Sequence, residues 1–417
     1  MEAYDKLTGL YNRDGFFFEV GERLKEKDHE DYLILCSDVK NFKLINDVFG
    51  TQTGDRLLMA ISESILKSGA LDGVYGRLEN DKICVFIDSK YKEQMIAAIL
   101  EKEFHIDGNI DYHIQIDVGI YEIIDRTIPV SVMCDRAMMA INTIKESVHD
   151  RVAYFDSTMR ENALKEQELI GGLQRAIDEE ELQIYLQPQT DCYGKGIGAE
   201  ALIRWNHPEK GMLMPGEFIG IFEKNGMIAQ VDRYIWELAC RQLRKWKDEG
   251  KDDMYISVNI SPKDFYFMDI HEVLVDLVKK YDIEAKNLRL EITETAVMQD
   301  LEKQLKLIDR LHAEGFIVEM DDFGSGYSSL NMLKDIEVDV MKLDMRFLSK
   351  SKNEDRSRKV LKMMVRLSKE LEMAVIAEGV ETKEQVNFLT EIGCDMFQGY
   401  FFAKPMQIES FEKAYMN

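Results

Sequence analysis

Residues 318–330 read Val-Glu-Met-Asp-Asp-Phe-Gly-Ser-Gly-Tyr-Ser-Ser-Leu, and this stretch decides the fold of the second half of the chain. Apolar residues lead in from Phe316, and the run ends on the adjacent carboxylates Asp321 and Asp322. Neighbouring residues of a strand point to opposite faces, so both acids can aim at one site only where the strand ends and the chain turns. Two anions held together repel each other unless a cation lies between them. The stretch therefore predicts either a strand that ends in a cation site or a solvated acidic turn.

Seven further apolar runs of strand length accompany this one, and helical patterns separate most of them. The eight runs are residues 182–189, 196–205, 254–261, 288–294, 316–323, 338–344, 373–381 and 396–402. The helical patterns cover residues 228–247, 270–280, 298–313, 355–371 and 382–392. This alternation predicts a (β/α)₈ TIM-like barrel. Residues 191–195 are too few for a crossover helix, so the first strand should run antiparallel to the second.

Polar side chains stand at the C-terminal ends of these runs, where barrels of this kind carry their chemistry. They are Glu200, Asn259, Glu291, Glu294, Asp321, Asp322, Lys342, Asp344, Glu378 and Gln398. Oxygen ligands from several strands, without His or Cys, suit two Mg²⁺ or Mn²⁺ ions. We infer two-metal hydrolysis of a phosphodiester. Lys342 would position or deprotonate the water, or stabilise the transition state, and Arg204 would pair with a phosphate.

These strand ends also resemble the EAL family of cyclic di-GMP phosphodiesterases. The motifs that carry the resemblance are residues 200–205 (Glu-Ala-Leu-Ile-Arg-Trp), 258–261, 291–294, 321–330, 342–344, 378–381 and 398–400. The resemblance covers residues 165–417 and implies cleavage of cyclic di-GMP to linear pGpG. Leu186 stands where the family often has tyrosine. Because family members often dimerise through this domain, a homodimer is expected.

The resemblance implies a role for each residue of the site. The implied metal ligands are Glu200, Asn259, Glu291, Asp321, Asp322 and Asp344. The implied catalytic residues are Lys342 and Glu378, which assist the water, together with Glu200 and with Glu294, which holds the loop at 324–329. The implied contacts to the substrate are Gln187, Arg204 and Gln398.

The first half, residues 1–157, alternates helical and strand signals and predicts an α+β domain with an open mixed sheet. Three of its segments are residues 5–13 (Asp-Lys-Leu-Thr-Gly-Leu-Tyr-Asn-Arg), 38–50 and 54–55, and they resemble the GGDEF family of diguanylate cyclases. The resemblance implies that Asp38 helps to hold Mg²⁺. It also implies that Asn46 and Asp55 bind the guanine of GTP.

This half departs from the family at its signature turn. Glu79-Asn80-Asp81-Lys82-Ile83 replaces Gly-Gly-Asp/Glu-Glu-Phe, so two side chains enter space that glycine leaves open. Ile141-Asn142 replaces an Ala-Lys pair, which removes a cation, and Ala70 and Gly73 replace an Arg-x-x-Asp inhibitory site. We predict that this domain is catalytically inactive. Asp38, Asn46, Asp55 and Asp81 are retained, so Mg²⁺–GTP binding stays possible. Two interpretations remain open, a GTP-binding regulator and a purely structural or dimerising module.

Net charge and cysteine content indicate which kinds of partner and which compartment are expected. The formal net charge is −24, which disfavours nucleic acid duplexes and anionic membranes. The six cysteines are scattered and predict buried free thiols in a reducing, cytoplasmic compartment. No membrane segment is apparent, and residues 158–175 predict a connecting helix. The alternative to an enzyme is a non-catalytic cyclic di-GMP receptor that passes binding on to a partner.

Overall fold

The structure is a computed structural model of the 417-residue chain, and it describes residues 3–26, 31–67, 73–100, 114–145, 147, 149–298, 300–323, 330–344 and 354–416. Within these ranges, the side chains of residues 322, 330–332 and 354 fall outside the description. The predictions for the loop at 324–329, for Ala70 and for the side chain of Asp322 therefore lie outside the described residues. The chain divides into two compact units, Met1–Lys165 and Glu166–Asn417.

The first unit is built on a five-stranded sheet. Its strands are β1 (Tyr32–Val39), β2 (Val74–Glu79), β3 (Lys82–Asp88), β4 (Ile116–Glu122) and β5 (Val152–Tyr154). Its helices are α1 (Arg13–Lys25), α2 (Phe42–Phe49), α3 (Thr51–Leu66), α4 (Lys92–Leu100) and α5 (Val130–Ile144), with a 3-10 turn at Ser89–Tyr91. The strand order is β2-β3-β1-β4-β5, and β4 pairs with β5 in parallel while the other pairs are antiparallel. The predicted open mixed sheet is confirmed.

Strand β1 is apolar on both faces because it lies in the middle of this sheet with helices on either side. On one face Leu35 packs with Ile61 of α3. On the other face Ile34 packs with Val20 of α1 and Met133 of α5. The long helix α6 (Ser157–Asp178) follows β5 and covers the residues predicted to connect the two halves.

The second unit contains the remaining elements. Its strands are β6 (Leu182–Thr190), β7 (Gly196–His207), β8 (Gly211–Leu213), β9 (Tyr255–Ile260), β10 (Leu288–Thr293), β11 (Val318–Phe323), β12 (Val340–Asp344), β13 (Ala374–Glu378) and β14 (Met396–Phe397). Its helices are α7 (Ile219–Lys224), α8 (Ile228–Asp248), α9 (Asp264–Phe267), α10 (Ile270–Tyr281), α11 (Glu294–Met298), α12 (Leu301–Ala313), α13 (Leu330–Asp335), α14 (Glu354–Glu370), α15 (Lys383–Ile392) and α16 (Ile408–Tyr415), with 3-10 turns at Pro215–Glu217 and Ala285–Asn287. Within the described ranges, no helix has the length and hydropathy needed to cross a membrane.

These strands close into a barrel. The sheet order is β6-β14-β13-β12-β11-β10-β9-β7-β8, and an additional pairing of β6 with β7 closes the ring, with β8 attached outside it. The pairs from β7 through β9 to β14 are parallel, whereas β6 is antiparallel to both β7 and β14. These pairings confirm the predicted barrel with an antiparallel first strand. The first strand is antiparallel because the five residues 191–195 are enough for a hairpin but too few for a crossover helix.

The interior of the barrel below its C-terminal end is apolar on one side and polar on the other. Val340, Ile376 and Met396 form the apolar side. Gln189 and Tyr255 are equally buried polar residues on neighbouring inward positions. Buried polar groups are stable when they find hydrogen-bond partners, so the polar side must carry an internal network.

Cys36 and Cys84 correct the prediction that every cysteine is a free thiol. They lie directly opposite each other on β1 and β3 and form a disulfide, with Cα atoms 4.3 Å apart. Cys134, Cys192, Cys240 and Cys394 are free. The prediction failed because the two bonded cysteines are 48 residues apart in sequence and are brought together only by strand pairing.

A pair of carboxyls, Asp232 of α8 and Asp264 of α9, is packed where these helices meet. Asp264 is fully buried, and its Oδ2 accepts a hydrogen bond from the Ser261 backbone N–H at 2.8 Å. Burial raises the pKa of Asp264 to about 6. Burial, together with the charge of Asp264, raises the pKa of Asp232 well above its usual value. The pair therefore shares a proton in the folded protein near neutral pH.

We expect the Asp264→Asn variant to be more stable than wild type at pH 8 by roughly 1–3 kcal/mol, because asparagine keeps an acceptor for Ser261 and a donor for Asp232. The pKa of Asp264 is higher in the folded state, so its stabilising contribution is complete below about pH 4 and is lost as the pH rises through 6. Urea unfolding of both proteins from pH 4 to 8 measures the difference. The explanation is wrong if the advantage of the variant does not grow with pH.

Candidate active site at the C-terminal end of the barrel

The polar strand ends meet because their strands run in parallel and in register. Asn259 of β9 lies opposite Glu291 of β10, and Thr293 lies opposite Asp321 of β11. Asp344 of β12 lies opposite Glu378 of β13. Since alternate residues of a strand face the interior, a shared register places these side chains near one height in the barrel.

Lys342 is the centre of this cluster. The side chain is 1% exposed, and its Nζ lies 2.7 Å from Glu378, 3.6 Å from Asp321 and 3.9 Å from Glu200, and also contacts Glu291. Four carboxylates from four different strands therefore face one ammonium group. The structure brings together these five predicted residues, which span almost 180 positions of the sequence.

The pKa values in the cluster reflect burial and crowding. Burial raises the pKa of Glu291 well above its usual value, and the charge of Glu200 raises it further. Burial raises the pKa of Glu378 to about 8. Burial by itself would lower the pKa of Lys342, but Glu200, Glu291 and Glu378 raise it well above its usual value, so the side chain is an ammonium ion.

The donor set fits hard divalent cations. Four carboxyl groups surround the single ammonium of Lys342, and besides burial the charges of the neighbouring acids raise the pKa of Glu291 and of Glu378. A divalent cation among these groups would relieve that repulsion. Asn259 adds an amide oxygen, and its Nδ2 donates to Glu200 Oε1 at 3.1 Å. Oxygen donors of this kind bind Mg²⁺ and Mn²⁺ rather than softer metals.

Two predicted substrate contacts, Gln398 and Gln187, lie beside the cluster. Gln398 Nε2 donates to Glu200 Oε2 at 2.5 Å and to Gln187 Oε1 at 3.3 Å. An open cavity of about 420 Å³ is lined by both glutamines and by Glu200, Asp344 and Glu378. Its position puts the acid cluster within reach of a bound ligand.

The turn after Gln398 also shapes this cavity. Gly399 passes so close to residue 380 that a Cβ there would lie 2.2 Å from the Val380 carbonyl oxygen. Glycine at 399 thus allows the turn to close, and Tyr400 then lines the cavity with its side chain 59% exposed.

Two further predicted residues are Arg204, a predicted substrate contact, and Glu294, predicted to hold the loop. Arg204 is buried, donates to the Ile203 carbonyl at 2.7 Å and lies over the ring of Tyr185 at 5.5 Å. Glu294 is a buried residue at the start of α11, directly after β10. The loop that Glu294 is predicted to hold lies outside the described residues.

A second layer of polar residues lies beneath the cluster and was not predicted from the sequence. Ser257 donates a hydrogen bond to Glu291, and Gln189 donates to Gln398 at 2.9 Å. A usable signal was present, because Ser257 lies two residues before Asn259 and Gln189 two residues after Gln187, so each faces the same side as its predicted neighbour.

In the first unit, the predicted nucleotide residues lie around the end of β1. Asp81 Oδ2 accepts a hydrogen bond from the Val39 N–H at 2.9 Å, next to Asp38. Burial raises the pKa of Asp81, and the charge of Asp38 adds to that rise. The lysine of the Ala-Lys pair is absent at Ile141-Asn142, but Lys145 Nζ lies 3.7 Å from Asp38 and supplies a cation near this site. Lys145 directly follows the last residue of α5.

The structure also describes the altered turn and the two residues predicted to bind guanine. Asn80 adopts a left-handed backbone with φ of 46°, as glycine would, and Glu79 pairs with Lys82 at 3.1 Å. Asn46 of α2 lies against α3, where a Cβ at Gly54 would be 2.0 Å from its Oδ1. Asp55 follows on α3 and is exposed.

Comparisons with known proteins identify the same two families, one in each half of the chain. The model of the EAL domain matches residues 171–405, and that of the diguanylate cyclase GGDEF domain matches residues 2–151. The chain is 31% identical over 98% of its length to the bifunctional diguanylate cyclase/cyclic di-GMP phosphodiesterase MucR of Pseudomonas aeruginosa, of which it spans 61%. It is 30% identical over 99% of its length to the cyclic di-GMP phosphodiesterase PdeR of Escherichia coli, of which it spans 63%.

A solved structure, "PaMucR Phosphodiesterase, c-di-GMP complex", is 35% identical and covers 58% of this chain and 99% of its own, with a TM-score of 0.56. The chain thus spans somewhat less than two thirds of the curated relatives described above. Since the EAL match alone takes in more than half of the sequence, the chain belongs to the EAL domain family, with a GGDEF domain preceding the EAL domain.

Proposed function

We propose that this protein is a cyclic di-GMP phosphodiesterase that opens one phosphodiester to give linear pGpG. The observation that carries the proposal is the set of four carboxylates around the buried Lys342 at one end of the barrel. Glu200, Asn259, Glu291 and Asp321 would hold one Mg²⁺ or Mn²⁺ ion, with Asp322 and Asp344 completing the site of a second. Two such ions supply Lewis-acid catalysis of phosphodiester hydrolysis.

The other residues of the site would bind and orient the reactants. Lys342 is an ammonium ion among these carboxylates, and it would orient the attacking water or stabilise negative charge. Glu378, in contact with Lys342, would share in holding that water. Gln187 and Gln398 line the cavity and would contact the substrate, and Arg204 would pair with a phosphate.

The test is a product assay on the purified protein. With cyclic di-GMP and Mg²⁺ or Mn²⁺, we expect linear pGpG by chromatography, and chelation with EDTA should stop its formation. The competing function is a non-catalytic receptor. Tight binding of cyclic di-GMP, with no pGpG formed in the presence of any divalent ion, would favour the receptor.

We propose that the protein is a homodimer, and light scattering after size-exclusion chromatography tests this oligomeric state.

For the first domain, residues 1–157, we propose a catalytically inactive regulator that binds GTP. The neighbouring acids Asp38 and Asp81 support Mg²⁺ binding there, and Lys145 supplies a cation for a phosphate. Glu79 and Lys82, in ion-pair contact, occupy the turn where the resemblance calls for glycine and an acid. This arrangement argues for binding without cyclisation.

We expect calorimetry to detect binding of Mg²⁺–GTP, with no cyclic di-GMP formed from it. Asn46→Ala and Asp55→Ala should each weaken binding roughly tenfold, the effect of losing one hydrogen bond to the base. Asp14→Ala, at an exposed position of α1, is the matched control. Should GTP neither bind nor change turnover in the second domain, the first domain is a structural or dimerising module.

A further inference from the structure

A continuous chain of hydrogen bonds runs through the polar side of the barrel interior up to Glu200. Gln189 of β6 is fully buried, and its Oε1 accepts from the Tyr255 hydroxyl at 2.6 Å. Its Nε2 donates to Gln398 Oε1 at 2.9 Å. Gln398 Nε2 in turn donates to Glu200 Oε2 at 2.5 Å. One chain of three contacts thus links a phenol in the barrel interior to a predicted metal ligand.

The chemistry of each group fixes the direction of this chain. An ionised Glu200 can only accept hydrogen bonds, so Gln398 must turn its NH₂ group toward it and its oxygen toward Gln189. Gln189 must then present its own NH₂ to Gln398 and its oxygen to Tyr255. The Gln189 oxygen needs a hydrogen-bond donor, and the Tyr255 hydroxyl supplies it. If either amide turned over, two oxygen acceptors would face each other in a buried site.

A second branch leaves the same amide. Gln189 Nε2 lies 3.5 Å from Ser257 Oγ, and Ser257 donates to Glu291. Ser257 is fully buried, and Glu291 is 1% exposed. Gln189 therefore lies beneath two of the predicted metal ligands, one reached through Gln398 and the other through Ser257.

Tyr255 is itself held from below. Its ring lies 3.4 Å from the Arg289 guanidinium carbon, and Arg289 Nη1 pairs with the buried Glu319 at 3.1 Å. Burial raises the pKa of Tyr255, so the hydroxyl keeps its proton and remains a donor. The stacked ion pair thus fixes the ring. The hydroxyl donates to Gln189 Oε1 at 2.6 Å, and the weaker acceptor Met396 Sδ lies 3.6 Å away.

We propose that Gln189 and Tyr255 are positioning residues that hold Gln398, Glu200 and Glu291 in the orientation needed to bind the metal ions and the cyclic dinucleotide. The inference rests on the proposed function for the identity of the ligands. It adds two residues to which the motifs assign no role. Partners of metal ligands fix ligand orientation and basicity, and their loss typically weakens metal affinity or activity about 10–100-fold.

The experiment compares four variants with wild type by calorimetric titration with Mg²⁺, by titration with cyclic di-GMP, and by steady-state kinetics. Tyr255→Phe removes the hydroxyl, Gln189→Met removes the amide at similar length, and the double variant removes both. The control is Tyr234→Phe, because the Tyr234 hydroxyl is buried and has no hydrogen-bond partner among the described residues. We expect roughly tenfold weaker Mg²⁺ binding for Tyr255→Phe, and 10–100-fold for Gln189→Met.

The double variant separates positioning from general destabilisation. If both residues act through one chain, it should bind Mg²⁺ no more weakly than Gln189→Met alone, because the chain is already broken. Additive losses that follow the free energy of unfolding would overturn the inference, as would a Tyr255→Phe variant that behaves like Tyr234→Phe. A wild type that binds Mg²⁺ but makes no pGpG would refute the phosphodiesterase, whereas weaker Mg²⁺ binding in Tyr255→Phe would still support positioning.

Discussion

Replacing Glu200 with alanine should lower kcat/KM for cyclic di-GMP by roughly 10³-fold, the scale on which charge-stabilising groups act in such sites. Glu200 has three partners among the predicted site residues. It accepts from Asn259 at 3.1 Å and from Gln398 at 2.5 Å, and it lies 3.9 Å from Lys342. Its removal takes away a predicted metal ligand and the acceptor that orients Gln398.

The measurement is the rate of pGpG formation at saturating Mg²⁺, with the calorimetric affinity for Mg²⁺ beside it. Glu209→Ala is the matched control, since Glu209 is an exposed acid that follows the same strand β7. Folding of Glu200→Ala is checked by its unfolding temperature. If Glu200→Ala retains the activity of Glu209→Ala, the barrel end is not the catalytic site.

Replacing Lys342 with methionine should have the largest effect on stability. The side chain is 1% exposed, and its ammonium faces Glu200, Glu291, Asp321 and Glu378. Methionine has a similar length but leaves these buried carboxylates without their partner. Breaking a buried ion pair from one side costs about 3–5 kcal/mol.

Mg²⁺ should recover part of that loss, because divalent ions bound in the folded state supply the missing positive charge and stabilise by mass action. Denaturant unfolding of Lys342→Met with EDTA and with Mg²⁺ measures both effects. Activity should fall by roughly 10²–10³-fold even with Mg²⁺, since Lys342 is expected to stabilise charge in the transition state. Lys251→Met, a partly exposed lysine, is the control. A variant as stable as wild type in EDTA would contradict the charge argument.

The acid cluster could be predicted because its signals are local. Apolar runs with an acid at or near their end, such as those at Glu291 and Asp321, mark strand ends, and parallel strands gather those ends at one face whatever the details of packing. Glu200 is instead the fifth residue of the longer strand β7 (Gly196–His207). The hairpin followed in the same way from the short connection at 191–195. Assigning a role to each of these residues depended on the family resemblance, and the ligation of metal stays a prediction.

The contacts that the sequence did not predict join residues far apart in the chain, which strand register brings together. The contact between Gln189 and Tyr255 joins residues 66 positions apart, and that between Gln189 and Gln398 joins residues 209 apart. The Cys36–Cys84 disulfide and the approach of Lys145 to Asp38 depend in the same way on which segments become neighbours. No short pattern encodes such pairs, because each partner alone resembles an ordinary buried polar or apolar residue.

The sequence by itself therefore determined the two-domain plan, the barrel with its reversed first strand, and the set of acids that meet at one end. These follow from periodicity, connection length and strand ends, which are properties of neighbouring residues. Tertiary structure alone decided that Lys342 is buried among four carboxylates and that a hydrogen-bonded chain from Tyr255 supports Glu200 from below. The physical reason is that the charge environment and hydrogen-bond direction at each atom are set by strands that are distant in sequence.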